Sequence, residues 1–253
     1  ITQTPLNEQD LKTMSEAVEV LRQFKGFSYF TEMSDIINRL EDHVASARMK
    51  TTPVIDFEKN ESLKGLDYLD TIYHAIVNEH PIQLKYRSFK ARSANSFIFY
   101  PYLLKEYRNR WFVYGVRGNG RILQNLALDR IQSLEVLPQE HYIKNTFFDP
   151  NTFFDDLVGV TKNSGSVAEK VGFKVAAAEA PYIITKPIHR SQQVVERLAD
   201  GSVILEIKVV INHELERVFF GYAEGIQVLY PKTLVELMGR KLKKAAEQYT
   251  HSK

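Results

Sequence analysis

The sequence predicts an α+β protein made of three modules. Apolar residues recur at helical spacing over the first 44 residues, then alternate at strand spacing from residue 82 onward. After a polar break at residues 161–166, a second series of short elements follows. We therefore predict a helical spacer and linker at 1–65, a helix followed by a small strand-rich domain at 66–160, and an αβ extension at 161–253.

The first module is predicted to hold two amphipathic helices. Asn7 and Thr31 are suitable N-caps, and Gly26 ends the first helix. Residues 47–65 follow neither period and read as an extended linker. The apolar stripes of these helices either pack in a dimer or cover the domain that follows in the same chain. The stripes comprise Leu11, Met14, Val18 and Leu21 in the first helix, and Met33, Ile36, Ile37, Leu40 and Val44 in the second.

The second module opens with a helix at 66–76 that ends before Pro81. About five strands follow between residues 82 and 137, with side chains that alternate between apolar and polar. Asn119-Gly120 is the dipeptide that a tight hairpin requires, because both central residues need a positive φ. One helix and several short strands joined by hairpins predict a small, strongly bent sheet or barrel capped by the helix.

The third module is predicted to run strand, helix, strand, strand, helix, strand, followed by a last helix. Asp200-Gly201 forms the hairpin turn between its second and third strands, and Pro231 opens the final helix. This order is that of a split βαβ, ferredoxin-like unit.

Composition excludes several classes of protein. The 253 residues are 44% hydrophobic and 25% charged, with no cysteine, which excludes disulfide scaffolds, thiolate catalysis and Cys-containing zinc sites. No apolar run is long enough for a transmembrane helix. The chain begins with neither Met nor a signal peptide, so we expect a cytoplasmic protein and a fragment of a longer one.

Charge and aromatic residues concentrate between Lys85 and Arg130. Ten Lys or Arg residues stand there against Glu106 and Asp129, which gives this window a net charge of +8. The same window holds ten aromatic residues. Such a mixture is typical of surfaces that neutralise phosphates and stack planar rings, although strand alternation could equally place the aromatics in the core and the cations in solvent.

Residues 110–131, RWFVYGVRGNGRILQNLALDRI, resemble the signature of WYL-domain proteins. The Leu128-Asp129-Arg130-Ile131 ending matches the family pattern, whereas Trp111-Phe112-Val113 departs from the Trp-Tyr-Leu triplet at two positions. Residues 82–88 and 100–103 are similar to the family's first two strands. Residues 168–250 resemble the C-terminal extension that accompanies these domains.

The resemblance implies a bacterial transcriptional regulator of the YafY-like type, with an Sm-like barrel that senses a ligand. Regulators of this type bind duplex DNA through an N-terminal helix-turn-helix head, which lies outside this chain, and they act as homodimers. An anionic effector, either a nucleotide or single-stranded nucleic acid, is the expected partner of the barrel. Neither a membrane partner nor a cofactor is expected.

Seven residues are candidate ligand contacts in the barrel. Asp129 either orients Arg130 toward a ligand or staples the end of a strand. Trp111, the only tryptophan, has the size of a core residue. Strand alternation places two of the candidates, Tyr86 and Ser88, on one face and Arg87 on the other unless the strand bulges. The candidates are Tyr86, Ser88, Arg110, Trp111, Arg121, Asp129 and Arg130.

No catalytic residue or metal ligand is predicted. The seven histidines are dispersed, the Gly115, Gly118 and Gly120 spacing lies between strands rather than before a helix, and no carboxylate pair stands out. Two alternatives to a ligand sensor remain at this point. One is an enzyme acting on a phosphorylated small molecule, and the other is a protein-interaction module with a basic surface.

Overall fold

A computed structural model describes residues 63–118, 120 and 122–250. The chain divides into two compact units, with the division between Asn145 and Thr146. The two helices predicted within residues 7–44 and nearly all of the predicted linker lie outside the described residues. Asn119 of the predicted hairpin turn and the candidate Arg121 lie outside them as well.

The first unit is a five-stranded antiparallel sheet with one α-helix. The predicted helix and all five predicted strands of this module are confirmed. Strand order across the sheet is β4-β3-β2-β1-β5. In chain order the elements are a 3₁₀ turn at Leu66–Tyr68, α1 at Leu69–Val77, β1 at Ile82–Tyr86, β2 at Asn95–Tyr107, β3 at Arg110–Arg117, β4 at Leu123–Ala127, a 3₁₀ turn at Leu128–Arg130, and β5 at Ile131–Val136.

This sheet is open, which corrects the prediction of a barrel. Strands β4 and β5 are consecutive in the chain, yet they lie at opposite edges of the sheet and do not pair with each other. The 3₁₀ turn between them carries the chain from one edge to the other, where β5 pairs with β1. The first half of the long strand β2 pairs with β1 and its second half with β3, with an irregularity between Pro101 and Leu103.

Helix α1 covers one face of the sheet and forms a core with it. Ile72 of α1 packs with Leu84, Phe99 and Val113, all fully buried. Each such side chain contributes about 1.5–3 kcal/mol by leaving water. At Gly115 the sheet has no room for a side chain, because a Cβ there would lie 2.1 Å from the Tyr100 carbonyl oxygen.

The second unit is a four-stranded antiparallel sheet in the order β7-β8-β6-β9. The elements follow the predicted succession of strand, helix, strand, strand, helix and strand, and the ferredoxin-like classification remains a prediction. They are β6 at Glu169–Val175, α2 at Ala180–Thr185, β7 at Gln193–Arg197, β8 at Val203–Val209, α3 at His213–Phe220, a 3₁₀ turn at Ala223–Gly225, β9 at Ile226–Tyr230 and α4 at Lys232–Thr250.

Alternation along β8 and a capped helix build the second core. Leu205 and Ile207 are fully buried, and the rings of Phe173 and Phe219 pack 5.1 Å apart between centroids. Asn212 is the N-cap of α3, since its side-chain oxygen accepts a hydrogen bond from the Leu215 amide at 2.9 Å. None of the helices that the structure describes is both long and apolar enough to cross a membrane.

Candidate anion-binding site

The 3₁₀ turn Leu128–Arg130 is held in place by backbone contacts on two sides. The Arg87 amide donates a hydrogen bond of 3.1 Å to the Arg130 carbonyl oxygen. Gly65, with φ of +86°, lies so close to the turn that a Cβ would come within 2.4 Å of the Leu128 carbonyl carbon. The turn therefore presents Asp129 and Arg130 from a fixed backbone.

Asp129 joins two arginines that are far apart in the chain. Its Oδ2 lies 3.2 Å from Nε of Arg110, the first residue of β3, and its Oδ1 lies 3.8 Å from Nε of Arg130. The Asp129 side chain is only 13% exposed, whereas Arg110 is 48% exposed and Arg130 27% exposed. The two guanidiniums and the one carboxylate together carry a formal charge of +1.

Arg130 also stacks on an aromatic ring. Its guanidinium carbon lies 4.5 Å from the centroid of the Phe89 ring, which is the geometry of a cation–π contact. Phe89 follows β1 in an exposed loop, and 73% of its surface is accessible. The exposed ring is suited to stacking on a planar ligand, and the partly exposed guanidiniums beside it are suited to binding an anionic one.

Tyr86, the last residue of β1, lies near the charged side chains of Asp129 and Arg130. Burial raises the pKa of its hydroxyl, and the nearby Asp129 carboxylate also raises it. The Arg130 guanidinium and hydrogen bonds with Arg130 and the Ala127 backbone act in the opposite direction. The Tyr86 hydroxyl therefore stays protonated near neutral pH and lies within the field of the same charged pair.

We name the four residues Tyr86, Arg110, Asp129 and Arg130, together with Phe89, the arginine cluster. Four of the seven predicted contacts thus lie together. Of the others, Ser88 is half-buried in the loop after β1, and no hydrogen bond among the described residues joins its hydroxyl to the cluster. Trp111 packs against the core of the first unit, and Arg121 lies outside the described residues.

Two residues important for this site were not among the predicted contacts. Phe89 was counted with the aromatic residues of the basic window, but it belongs to no strand, so alternation gave no reason to select it. Gly65 was the last residue of the predicted linker. Its close approach to the turn depends on tertiary packing, and the only sequence signal for such a contact is that the residue is a glycine.

Other charges of the basic window are distributed over the first unit. Arg117, at the far end of β3 from Arg110, stacks on Phe97 with its guanidinium carbon 3.9 Å from the ring centroid. Among the described residues, no group of three or more His, Asp or Glu side chains is arranged to hold a metal ion. The arginine cluster combines two guanidiniums that share one carboxylate with an exposed ring.

Comparison with known families identifies the domains that these two units contain. The chain carries a WYL domain at residues 67–136 and a WCX domain at residues 168–246. The resemblance of residues 110–131 and 168–250 to WYL-domain proteins and their extension is thereby confirmed. The chain therefore contains a WYL domain followed by a WCX domain.

Two solved structures are similar at low sequence identity. Proteasome accessory factor B/C (PafBC) of Arthrobacter aurescens is 16% identical over 76% of this chain, with a TM-score of 0.30, and the match covers 28% of that chain. The crystal structure of a CRISPR Cas-related protein is 9% identical over 99% of this chain and 88% of that one, with a TM-score of 0.47. No curated protein gives a match.

Proposed function

We propose that this chain is the effector-sensing and dimerisation part of a bacterial transcriptional regulator of the YafY-like type. In this proposal the WYL domain binds an anionic ligand, either a nucleotide or single-stranded nucleic acid. The observation that carries the proposal is the stacking of Arg130 on the exposed Phe89 beside the Asp129–Arg110 ion pair. The presence of WYL and WCX domains in one chain supports the regulator class.

The chemistry of the cluster favours a ligand that combines a negative charge with a planar ring. Guanidinium groups bind phosphate oxygens through two parallel N–H donors, and Arg110 and Arg130 both keep part of their surface exposed. An exposed aromatic ring accepts any nucleobase by stacking. A nucleotide unit offers both groups at once, whereas a purely apolar ligand would leave the cluster's net charge unpaired.

The proposed mechanism is a population shift in a homodimer. An effector that binds one of two dimer arrangements more tightly moves the equilibrium toward that arrangement. The change would reach duplex DNA through a helix-turn-helix head outside this chain, in the cytoplasm. The chain itself has no catalytic role in this proposal, and turnover of any member of a nucleotide panel would contradict that part.

The test is fluorescence anisotropy of a labelled oligothymidylate over a salt series. We expect binding that weakens steeply with salt, and Arg130→Ala to weaken it by about tenfold and lower the salt slope by about one. Arg117→Ala is the matched control, because it also removes an arginine stacked on a phenylalanine, at the other end of β3. Equal binding by both variants and the parent would contradict the site assignment.

A further inference from the structure

The Asp129 carboxylate presents an electrostatic contradiction in a site for anions. It lies between the two arginines and is largely removed from solvent, so it repels any anion that approaches them. A site that needed only positive charge would be stronger without it. What Asp129 contributes is a contact to each of the two arginines, on which their geometry depends.

That geometry depends on a carboxylate held on a fixed backbone. Gly65 packs against the Leu128–Asp129 peptide, and the Arg87 amide binds the Arg130 carbonyl, so the turn has little freedom to move. Arg110 belongs to β3 rather than to the turn, and its side chain is half exposed. Like charges repel and long side chains gain rotamer entropy in solvent, so both arginines would separate without a shared counter-ion.

Asp129 Oδ1 and Arg130 Nε face each other without forming a hydrogen bond. Asp129 Oδ1 and Arg130 Nε are both buried, and neither makes a hydrogen bond with another described residue. They lie 3.8 Å apart, which is longer than a hydrogen bond between nitrogen and oxygen. A small rotation of Arg130 would close this gap, and an anion bound to the outer edges of both guanidiniums would favour that rotation.

We propose that Asp129 is a positioning residue that holds Arg110 and Arg130 together as a preformed clamp for one anionic group of the ligand. The inference rests on the proposed function, since the clamp is the anion-binding part of that site. Ligand binding closes the contact between Asp129 Oδ1 and Arg130 Nε by rotation of the Arg130 side chain, while the turn that carries Asp129 stays fixed.

The sign of one substitution separates this role from simple charge. Asp129→Asn removes a negative charge next to the site, and electrostatics alone predicts tighter binding of an anion. Weakening of the clamp predicts weaker binding, by about fivefold to tenfold, because the Asn amide oxygen replaces a charge-assisted hydrogen bond with a neutral one. Glu135→Gln is the matched control, because it removes one exposed carboxylate from β5 of the same sheet.

The first measurement is anisotropy of the labelled oligothymidylate with the parent, Asp129→Asn, Asp129→Glu and Glu135→Gln. We expect weaker binding by Asp129→Asn, partial recovery in Asp129→Glu, and no loss in Glu135→Gln. Binding by Asp129→Asn as tight as the parent or tighter would overturn the proposal. If Asp129→Asn fails to fold, Arg110→Lys keeps the charge but loses the Nε contact, and parent-like affinity of that variant would overturn it equally.

The second measurement does not depend on the effector. In the parent, NMR signals of the Arg110 and Arg130 Nε–H groups should be protected from solvent exchange, and inorganic phosphate should shift that of Arg130. In Asp129→Asn the Arg110 signal should be lost to exchange, because the Arg110 Nε–H is the group that Asp129 holds at 3.2 Å. Identical signals in the two proteins would refute the clamp. If the oligothymidylate fails to bind the parent, the proposed function fails on that probe while this measurement still decides the role of Asp129.

Discussion

Arg130 lies over the ring of Phe89, with its guanidinium carbon 4.5 Å from the ring centroid. The two residues come from separate parts of the chain, one in the loop after β1 and the other in the turn before β5. The Asp129 carboxylate lies beside Arg130 and forms an ion pair with Arg110. An aromatic surface and two cations therefore meet at one place on the WYL domain.

The exposed ring of Phe89 should contribute to ligand binding and little to stability. Because 73% of its surface is accessible, Phe89→Ala should change the free energy of unfolding by no more than about 0.5 kcal/mol. Loss of a stacked base should weaken oligonucleotide binding by about 1–3 kcal/mol. Urea denaturation and anisotropy measure the two effects.

Val77→Ala is the control for Phe89→Ala. Val77 is another exposed apolar residue of the first unit, at the end of α1. It should leave oligonucleotide affinity unchanged. If both substitutions reduce affinity to the same extent, the effect of Phe89 is general and the ring is not a ligand contact.

Gly65 should tolerate a methyl group far less well than Gly118. Both residues have positive φ, but a Cβ at Gly65 would overlap the Leu128–Asp129 peptide, whereas a Cβ at Gly118 would meet nothing within 4 Å. Gly118→Ala should cost about 1–2 kcal/mol from backbone strain. Gly65→Ala should cost about 1–3 kcal/mol more because of the overlap. Equal urea midpoints for the two variants would show that Gly65 does not support the turn.

His189 should make the second unit less stable in mild acid. Burial lowers the pKa of this imidazole below its ordinary value of 6.5, and the neighbouring Arg190 lowers it further. The Ser191 amide donates to Nδ1 at 3.1 Å, so the neutral ring is the form that fits. Protonation at Nδ1 would remove that acceptor.

The direction of this pH dependence follows from the lowered pKa. In the unfolded chain His189 takes up a proton at its ordinary pKa, while the folded protein resists protonation until a lower pH. Its contribution is therefore complete above about pH 7.5 and declines as the pH falls through 6.5 toward the folded pKa. Urea midpoints of the parent should fall over this range more steeply than those of His189→Asn. Parallel curves would show that His189 is not responsible.

Local patterns predicted the secondary structure because each element carries its own period and its own boundaries. Ile82, Leu84 and Tyr86 alternate within β1, and Pro231 precedes α4. The open sheet could not be predicted in the same way. It depends on β5 pairing with β1 rather than with its neighbour in sequence, a choice made between segments about 50 residues apart.

The site was predicted only in part, because its contacts also join segments that are far apart in the chain. Asp129 and Arg130 are adjacent in the segment 128–131 that matches the family pattern. The partner of Asp129, however, is Arg110, and the register between β3 and β4 brings these two residues together. Phe89 lies in a loop with no periodic pattern, so its contact with Arg130 follows from tertiary structure alone.

Photo-crosslinking tests the central claim most directly. An oligothymidylate that contains a photoreactive thiothymidine is irradiated with the protein, and mass spectrometry identifies the attached peptides. We predict attachment at Phe89 or at residues that flank it, lost in Arg130→Ala and retained in Arg117→Ala. Attachment confined to the second unit, for instance to the basic residues of α4, would contradict the arginine cluster as the ligand site.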